Sequence, residues 1–342
     1  MKPYLAISVT PQCNYHCPYC YDFSSPSIGE NRHASPKSVA TSEFLRFAKI
    51  AYEEGVQSFR ITGGEPLLRR DLADIIQGIA SLGESVRTTL VTNGELLNQN
   101  LESLLKIPRF SLYLSLDSVT QSSYRKHPTI EKMRAINQLQ DAGVPIRINM
   151  VVLKSNKEEV EPMVNLCRNY KCDLKLLDLY ADPQHPNGPH YWEENYQPLQ
   201  PIEERLKELG ATCVGTYAPD GRRGIPMPLY VLDSIKIILK DSTRGTHLHP
   251  TCQSCPFFPC QEGYYTPLIT SDGTLRPSGC WNDANSVNLT DKPDVVVRKN
   301  LRSLLAQFEE LRFHPSDMLI PYRPIKPQHL QIDTNIKRVI SR

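Results

Sequence analysis

The chain has 342 residues, 40% of them hydrophobic, with a formal net charge of +2 and a pI near 8.0. That length allows one large domain plus a smaller one, and the charge is too balanced for wholesale nucleic-acid binding. The opening stretch Met-Lys-Pro-Tyr-Leu-Ala-Ile-Ser-Val-Thr has no long apolar run, so neither a signal peptide nor a membrane span is expected.

Over the first 180 residues short apolar runs alternate with amphipathic segments. Strands are predicted at 5–9, 58–61, 88–91, 112–116, 146–152 and 174–179, with helices filling the gaps. The segment 42–54 places Phe44, Leu45, Phe47, Ala48 and Ala51 on one broad face, and 71–82, 130–142 and 157–169 read similarly. Gly55, Gly83 and Gly143 stand just past helix ends, where a left-handed residue is wanted. Six β/α units imply a parallel sheet with right-handed crossovers, either a partial barrel or an open doubly wound sheet. Both gather ligands at the C-terminal ends of the strands.

From 181 to 201 the texture changes: five prolines with Asn187-Gly188 predict a loop or linker. Helix returns at 202–209. Beyond about 225 the chain is rich in Cys, Pro and turn residues, as suits a small metal-stapled domain, and a helix is expected at 300–312. The tail after His314 carries four prolines. The expected division is therefore 1–225 and 226–342, and no internal repeat is visible.

Ten cysteines are many for a chain with no secretion signal, and their spacing points to metal and a reducing compartment, the cytoplasm. Cys13-x3-Cys17-x2-Cys20 follows the first strand directly. Three thiolates on one loop can hold a [4Fe–4S] cluster with one iron open, and on spacing alone zinc is an equal reading. Thr62-Gly63-Gly64-Glu65-Pro66 follows the second strand. Its glycines permit close backbone approach, Glu65 offers a carboxylate to a cationic amine, and Pro66 suits a helix start. Cys252-x2-Cys255-x4-Cys260-x19-Cys280 forms the second constellation, which spacing leaves open between zinc and iron–sulfur. Cys167, Cys172 and Cys213 are expected to be core thiols.

The cysteine triplet with Tyr19 after the first strand, and Gly-Gly-Glu-Pro after the second, together resemble the radical S-adenosylmethionine (SAM) superfamily. The resemblance implies an enzyme with a partial (β/α)6 TIM-barrel core, whose open iron binds SAM and whose cluster cleaves it to a 5′-deoxyadenosyl radical. Arg60-Ile-Thr-Gly-Gly-Glu-Pro-Leu-Leu-Arg69, Val91-Thr-Asn-Gly94, Leu114-Ser-Leu-Asp117 and Arg147-Ile-Asn-Met-Val-Val152 resemble, more narrowly, the GTP 3′,8-cyclase branch. By that likeness Cys13, Cys17 and Cys20 hold the cluster. Tyr19, Gly63, Gly64, Glu65, Pro66, Thr92, Ser115, Asp117 and Asn149 surround SAM, and Arg60 and Arg147 contact substrate.

The likeness also implies a twitch/SPASM-like C-terminal domain with an auxiliary [4Fe–4S] cluster on Cys252, Cys255, Cys260 and Cys280. If Cys260 is not a ligand, it joins Tyr264 and Tyr265 as candidate proton or hydrogen donors. The cyclase's arginine before the first cysteine is Gln12 here, its Arg-x-Arg pair has no counterpart in Gly263-Tyr-Tyr-Thr-Pro-Leu268, and its Gly-Gly terminus is replaced by Ile340-Ser-Arg342. A substrate other than GTP is expected: a nucleoside, nucleotide or sugar of cofactor or natural-product biosynthesis, or alternatively a peptide. A reductant such as flavodoxin or ferredoxin is the expected partner, with neither membrane nor nucleic acid.

Overall fold

The computed structural model describes residues 4–20, 38–120, 127–180, 188–217, 224–255, 263–278, 280 and 285–314. Six parallel strands come first: β1 (Leu5–Ser8), β2 (Ser58–Thr62), β3 (Arg87–Thr92), β4 (Phe110–Ser115), β5 (Ile146–Val151) and β6 (Asp173–Leu177). They lie side by side in chain order. Between them run α1 (Thr41–Glu53), α2 (Leu72–Ala80), α3 (Leu97–Leu105), α4 (Ile130–Asp141) and α5 (Val160–Asn169). Each helix forms because apolar residues recur on one face. Phe44, Phe47, Ala48 and Ala51 of α1 and Leu72, Ile75, Ile76 and Ile79 of α2 are buried together against the sheet. Gly55 and Gly143 take the left-handed conformation expected after their helices; Gly83 does not.

The remainder corrects the sequence reading. The stretch expected to be a loop contains α6 (Gly188–Asn195), followed by α7 (Gln200–Glu208). Pro189 falls in the first turn of α6, where its missing N–H costs no helical bond, and Trp192 fastens the helix by donating to the Leu179 carbonyl at 3.0 Å. Strands β7 (Thr212–Tyr217), β8 (Met227–Leu232) and β9 (Ile235–Lys240) form a meander whose last strand pairs parallel to β6. After β10 (Thr246–Leu248), strands β11 (Thr266–Ile269), β12 (Thr274–Ser278) and β13 (Val287–Asn288) extend the other edge, β11 running parallel to β1. One sheet thus takes strands from both sides of residue 225.

The last helix, α8 (Asp294–Gln307), begins six residues before the predicted 300 and is followed by β14 (Arg312–His314), which pairs with β10. Its start is a β-branched run, Val295-Val-Val297, which reads against helix until tertiary packing is counted. Val297, Leu301, Leu304 and Leu305 are buried, and Arg298 and Arg302 reach Glu54, the C-cap of α1, at 3.0 and 2.8 Å. Among the described residues no helix is long and apolar enough to cross a membrane.

The sheet is strongly curved. Six steps separate β11 from β6 in strand order, about 29 Å if flat. Yet Lys175 on β6 lies 3.2 Å from the hydroxyl of Tyr265, the residue preceding β11. The sheet therefore wraps into a partial barrel with an enclosed lumen.

Candidate active site

The cysteine loop leaves the C-terminal end of β1 and is stitched to the end of β2 through backbone. Val9 N–H donates to the Thr62 carbonyl (2.9 Å), Gly64 N–H to Thr10 (2.8 Å) and Glu65 N–H to Gln12 (2.7 Å). A Cβ on Gly63 would stand 2.6 Å from the Thr10 oxygen, and one on Gly64 only 2.2 Å from that of Gln12. The paired glycines are needed here so that the two motif loops can touch.

Glu65 is 1% exposed. One carboxylate oxygen accepts from Leu67 N–H (3.0 Å) and the Thr92 hydroxyl (2.6 Å), the other from Asn93 N–H (2.7 Å). The side chain expected to meet a cationic amine is thus also a strut between the ends of β2 and β3. Pro66 opens the short 3-10 turn that Glu65 caps.

Three side chains of the cysteine loop grip the barrel rim. Asn14 Oδ1 accepts from Asn93 Nδ2 at 2.8 Å. Tyr15 donates to Glu95, which also pairs at 3.0 Å with the buried ammonium of Lys132. Tyr19 donates to Asp117, whose second oxygen accepts from Val151 N–H at 3.0 Å. Burial, then the Asp117 and Cys17 charges, hold the Tyr19 phenol well above its usual range. Thr92, Ser115, Asp117 and Asn149 all stand at the C-terminal ends of β3, β4 and β5, Ser115 and Asn149 as direct register partners.

Cys17 is buried, while Cys13 and Cys20 are exposed. Tyr15 N–H points at Cys13 Sγ (3.4 Å), and Cys20 N–H closes a turn on the Cys17 carbonyl (3.0 Å). Among the described residues no three His, Cys, Asp or Glu side chains converge as on a single ion. Three thiols on three irons of a cubane stand further apart than ligands sharing one ion. An all-sulfur donor set on one strand-end loop fits a [4Fe–4S] cluster, which Cys13, Cys17 and Cys20 would hold.

Below the rim the lumen is polar. Along β2, β4 and β5 the buried apolar residues (Phe59 and Ile61; Leu112 and Leu114; Ile148 and Met150) alternate with Arg60, Tyr113, Ser115, Arg147 and Asn149. Arg60 donates to the Tyr4 hydroxyl (2.6 Å) and lies 3.9 Å from that ring's centroid. Arg147 stacks on Tyr113 at 3.5 Å and reaches Asn149 (3.1 Å) and Tyr217 (3.3 Å). Lys175 and Lys240 approach Tyr265 from β6 and β9, with ammonium-to-centroid distances of 5.5 and 5.1 Å. Among the described residues none of Arg60, Arg147 and Lys175 has a carboxylate partner. The sequence reading named Arg60 and Arg147 but missed Lys175, Lys240, Tyr4 and Tyr113. Their signal was the polar alternation, since parallel strands covered on both faces are ordinarily near-continuous apolar runs.

At the other end of the lumen, Cys252 lies in the 3-10 turn Pro250–Ser254, Cys255 caps that turn, and Cys280 follows β12. The three share one space: each bears electrostatically on Tyr264, which stacks on His249 at 5.3 Å. Burial pushes the Cys252 thiol up to about 12, and the neighbouring Cys280 and Cys255 add to this. Thiols that oppose one another's ionisation are reconciled by cationic iron or zinc. Cys260 lies outside the described residues. Tyr264 and Tyr265, adjacent in sequence, point to different places: Tyr264 to the cysteines, Tyr265 into the lumen.

A partial parallel barrel with a cysteine loop at its strand ends and a polar lumen defines an α/β enzyme core. Residues 7–167 match the model of the Radical SAM superfamily. A GTP 3′,8-cyclase of Helicobacter pylori (strain HPAG1) is 31% identical over 312 residues, covering 88% of this chain and 86% of its own. A GTP 3′,8-cyclase of Listeria monocytogenes (serovar 1/2a, strain EGD-e) is 28% identical over 295 residues, covering 83% and 81%.

Among solved structures, Streptococcus suis SuiB bound to precursor peptide SuiA aligns with a TM-score of 0.58 at 17% identity, over 89% of this chain. The chain spans 64% of the length of SuiB. Native anSMEcpe with bound AdoMet aligns with a TM-score of 0.56 at 18% identity, over 90% of this chain and 82% of its own. The chain belongs to the radical SAM superfamily and is an enzyme, in a family that uses a [4Fe–4S] cluster with SAM.

Proposed function

We propose that the enzyme acts on a small molecule carrying an anionic group, a nucleotide or sugar phosphate being the favoured class. The observation that carries this reading is the set of lumen cations, the buried Arg147 and Lys175 with the half-buried Arg60, that have no carboxylate among the described residues. Buried charge of one sign asks for a counter-charge, and a planar guanidinium suits phosphate or carboxylate oxygens.

When bound, the cluster on Cys13, Cys17 and Cys20 supplies one electron to SAM and so the 5′-deoxyadenosyl radical that removes a substrate hydrogen. The protein's own part is positioning. Glu65, Thr92 and Asn93 form a rigid polar seat at the rim, Tyr19 and Asp117 hold the cysteine loop over the lumen, and Tyr113 presents an aromatic face beside Arg147. Substrate anchored on the cations would leave its reactive carbon toward the rim. The late cysteines form a second cluster in this reading, and an external one-electron protein reductant is required. GTP itself is disfavoured, because Gln12 replaces the arginine before the first cysteine of the resembled cyclases and their Arg-x-Arg pair has no counterpart in Gly263-Tyr-Tyr-Thr-Pro-Leu268.

The test is anaerobic. Reconstituted enzyme with SAM and dithionite is offered nucleotides, sugar phosphates, their unphosphorylated counterparts and peptides, and 5′-deoxyadenosine is quantified. Stimulation confined to phosphorylated or carboxylated small molecules is expected. Stimulation by peptides alone would replace this reading with peptide modification.

A further inference from the structure

We propose that Tyr265 is a catalytic proton acceptor in the lumen, working as a phenolate between Lys175 and Lys240. This rests on the anionic-substrate reading above and adds a step to it. The hydroxyl of Tyr265 lies 3.2 Å from Lys175 Nζ, and Lys240 Nζ lies 5.1 Å from its ring centroid. The edge of the ring meets Tyr4 at 6.3 Å between centroids, and Tyr4 in turn holds Arg60 by the 2.6 Å hydrogen bond.

The groups around Tyr265 are Tyr4 before β1, Arg60 on β2, Lys175 on β6 and Lys240 on β9, with Tyr113 on β4 and Arg147 on β5 beyond them and the Asp178 carboxyl bearing on Lys240 from the end of β6. Among the described residues, the charged groups named as acting on Tyr265 itself are cationic. Burial alone would push this phenol up; Lys175, Arg60 and Lys240 outweigh it and draw the phenol well below its usual range. Tyr4 and Tyr264, without two ammonium groups at hand, go the other way: burial pushes both phenols up. The contrast separates the two adjacent tyrosines: Tyr265 is placed to accept a proton, while Tyr264 is a neutral wall for the late cysteines.

Hydrogen-atom removal from a carbon bearing a hydroxyl leaves a carbon radical whose O–H is far more acidic than that of the parent alcohol. Tyr265 takes that proton: the phenolate oxygen forms a new O–H bond, the substrate O–H bond breaks, and its electron pair stays on the substrate oxygen. No electron leaves the substrate. The negative charge moves from Tyr265 to the substrate oxygen, and Lys175 and Lys240 remain in place to hold it.

The test uses cluster-loaded enzyme containing ring-13C tyrosine, followed by infrared difference spectroscopy from about pH 5 to about pH 9. Wild type is expected to show one tyrosine ionising below about pH 8, absent in Tyr265→Phe. Lys175→Met, which keeps the tyrosine, is expected to move the ionisation up by at least about one pH unit, a factor of ten in the equilibrium. No ionisation in that range, survival of the signal in Tyr265→Phe, or an unmoved ionisation in Lys175→Met would each overturn the proposal.

In turnover with the phosphorylated compound that most stimulates the wild type, product formed per 5′-deoxyadenosine is expected to fall about 100-fold in Tyr265→Phe. An unchanged ratio would also overturn it. Wild-type 5′-deoxyadenosine formation on the same preparation reports separately on the parent reading.

Discussion

The two cysteine regions are held in opposite ways. The early loop is joined to the barrel by backbone hydrogen bonds to Thr62, Gly64 and Glu65 and by the short-range grips of Asn14, Tyr15 and Tyr19. The late cysteines are assembled from two segments, the turn Pro250–Ser254 with its cap Cys255 and the end of β12. They sit behind a helix, α8, that is fastened to α1 by arginine–glutamate pairs as well as by its apolar face. A loop fixed by its own backbone tolerates few substitutions and keeps a short, contiguous motif. A site gathered by packing leaves its residues scattered along the chain.

The sharpest way to break this comparison is to remove one thiol from each side. Cys17→Ala is expected to reduce 5′-deoxyadenosine formation by about three orders of magnitude or more, whereas Cys252→Ala lowers bound iron from about eight to about four per chain without that loss. Iron analysis alongside product quantitation checks it; equal losses in both variants would erase the distinction.

Gly64→Ala comes next. Its Cβ meets backbone, not a mobile side chain, so about 1–3 kcal/mol of stability should go, together with loading of the early cluster. Denaturant unfolding and iron content read this, and a variant of wild-type stability would show that the two motif loops do not need their close contact.

Glu65→Gln places an amide NH2 among three donors, leaving at least one unpaired. About 1–3 kcal/mol and a KM for SAM raised about tenfold are expected, measured by thermal unfolding and by SAM-dependent 5′-deoxyadenosine rates.

The smallest effect concerns acid. Hydrogen bonds from Arg302, and then Arg298, outweigh burial and hold the Glu54 carboxyl down at about 2. A carboxylate lowered in the folded state contributes stability above its unfolded range, and that contribution is lost as pH falls from about 4.5 toward about 2. Glu54→Gln should therefore lower Tm by about 1–2 °C at neutral pH and by nothing near pH 2. A constant difference across pH would mean that α8 is held by its apolar face alone.

Much of the barrel was legible because β/α alternation is a local property. The six parallel strands fall within two residues of their predicted bounds, and Cys13-x3-Cys17-x2-Cys20 with Gly63-Gly-Glu-Pro66 names a site without any geometry. What stayed hidden depends on distant chain. Lys175 and Lys240 become neighbours of Tyr265 only through the curvature of the sheet, and nothing local marks Thr212–Tyr217 as the outermost strand. Helix α8 begins in a valine run whose preference is overridden by packing on α1. The prolines of 181–201 masked a helix that accepts one of them in its first turn.

Which cysteines serve SAM is the central question for this enzyme. Electron paramagnetic resonance of the dithionite-reduced enzyme, recorded with and without SAM, addresses this without a substrate. SAM should reshape one cluster signal in wild type and in Cys252→Ala, and that response should be missing in Cys17→Ala. A response that persists in Cys17→Ala and disappears in Cys252→Ala would contradict the assignment.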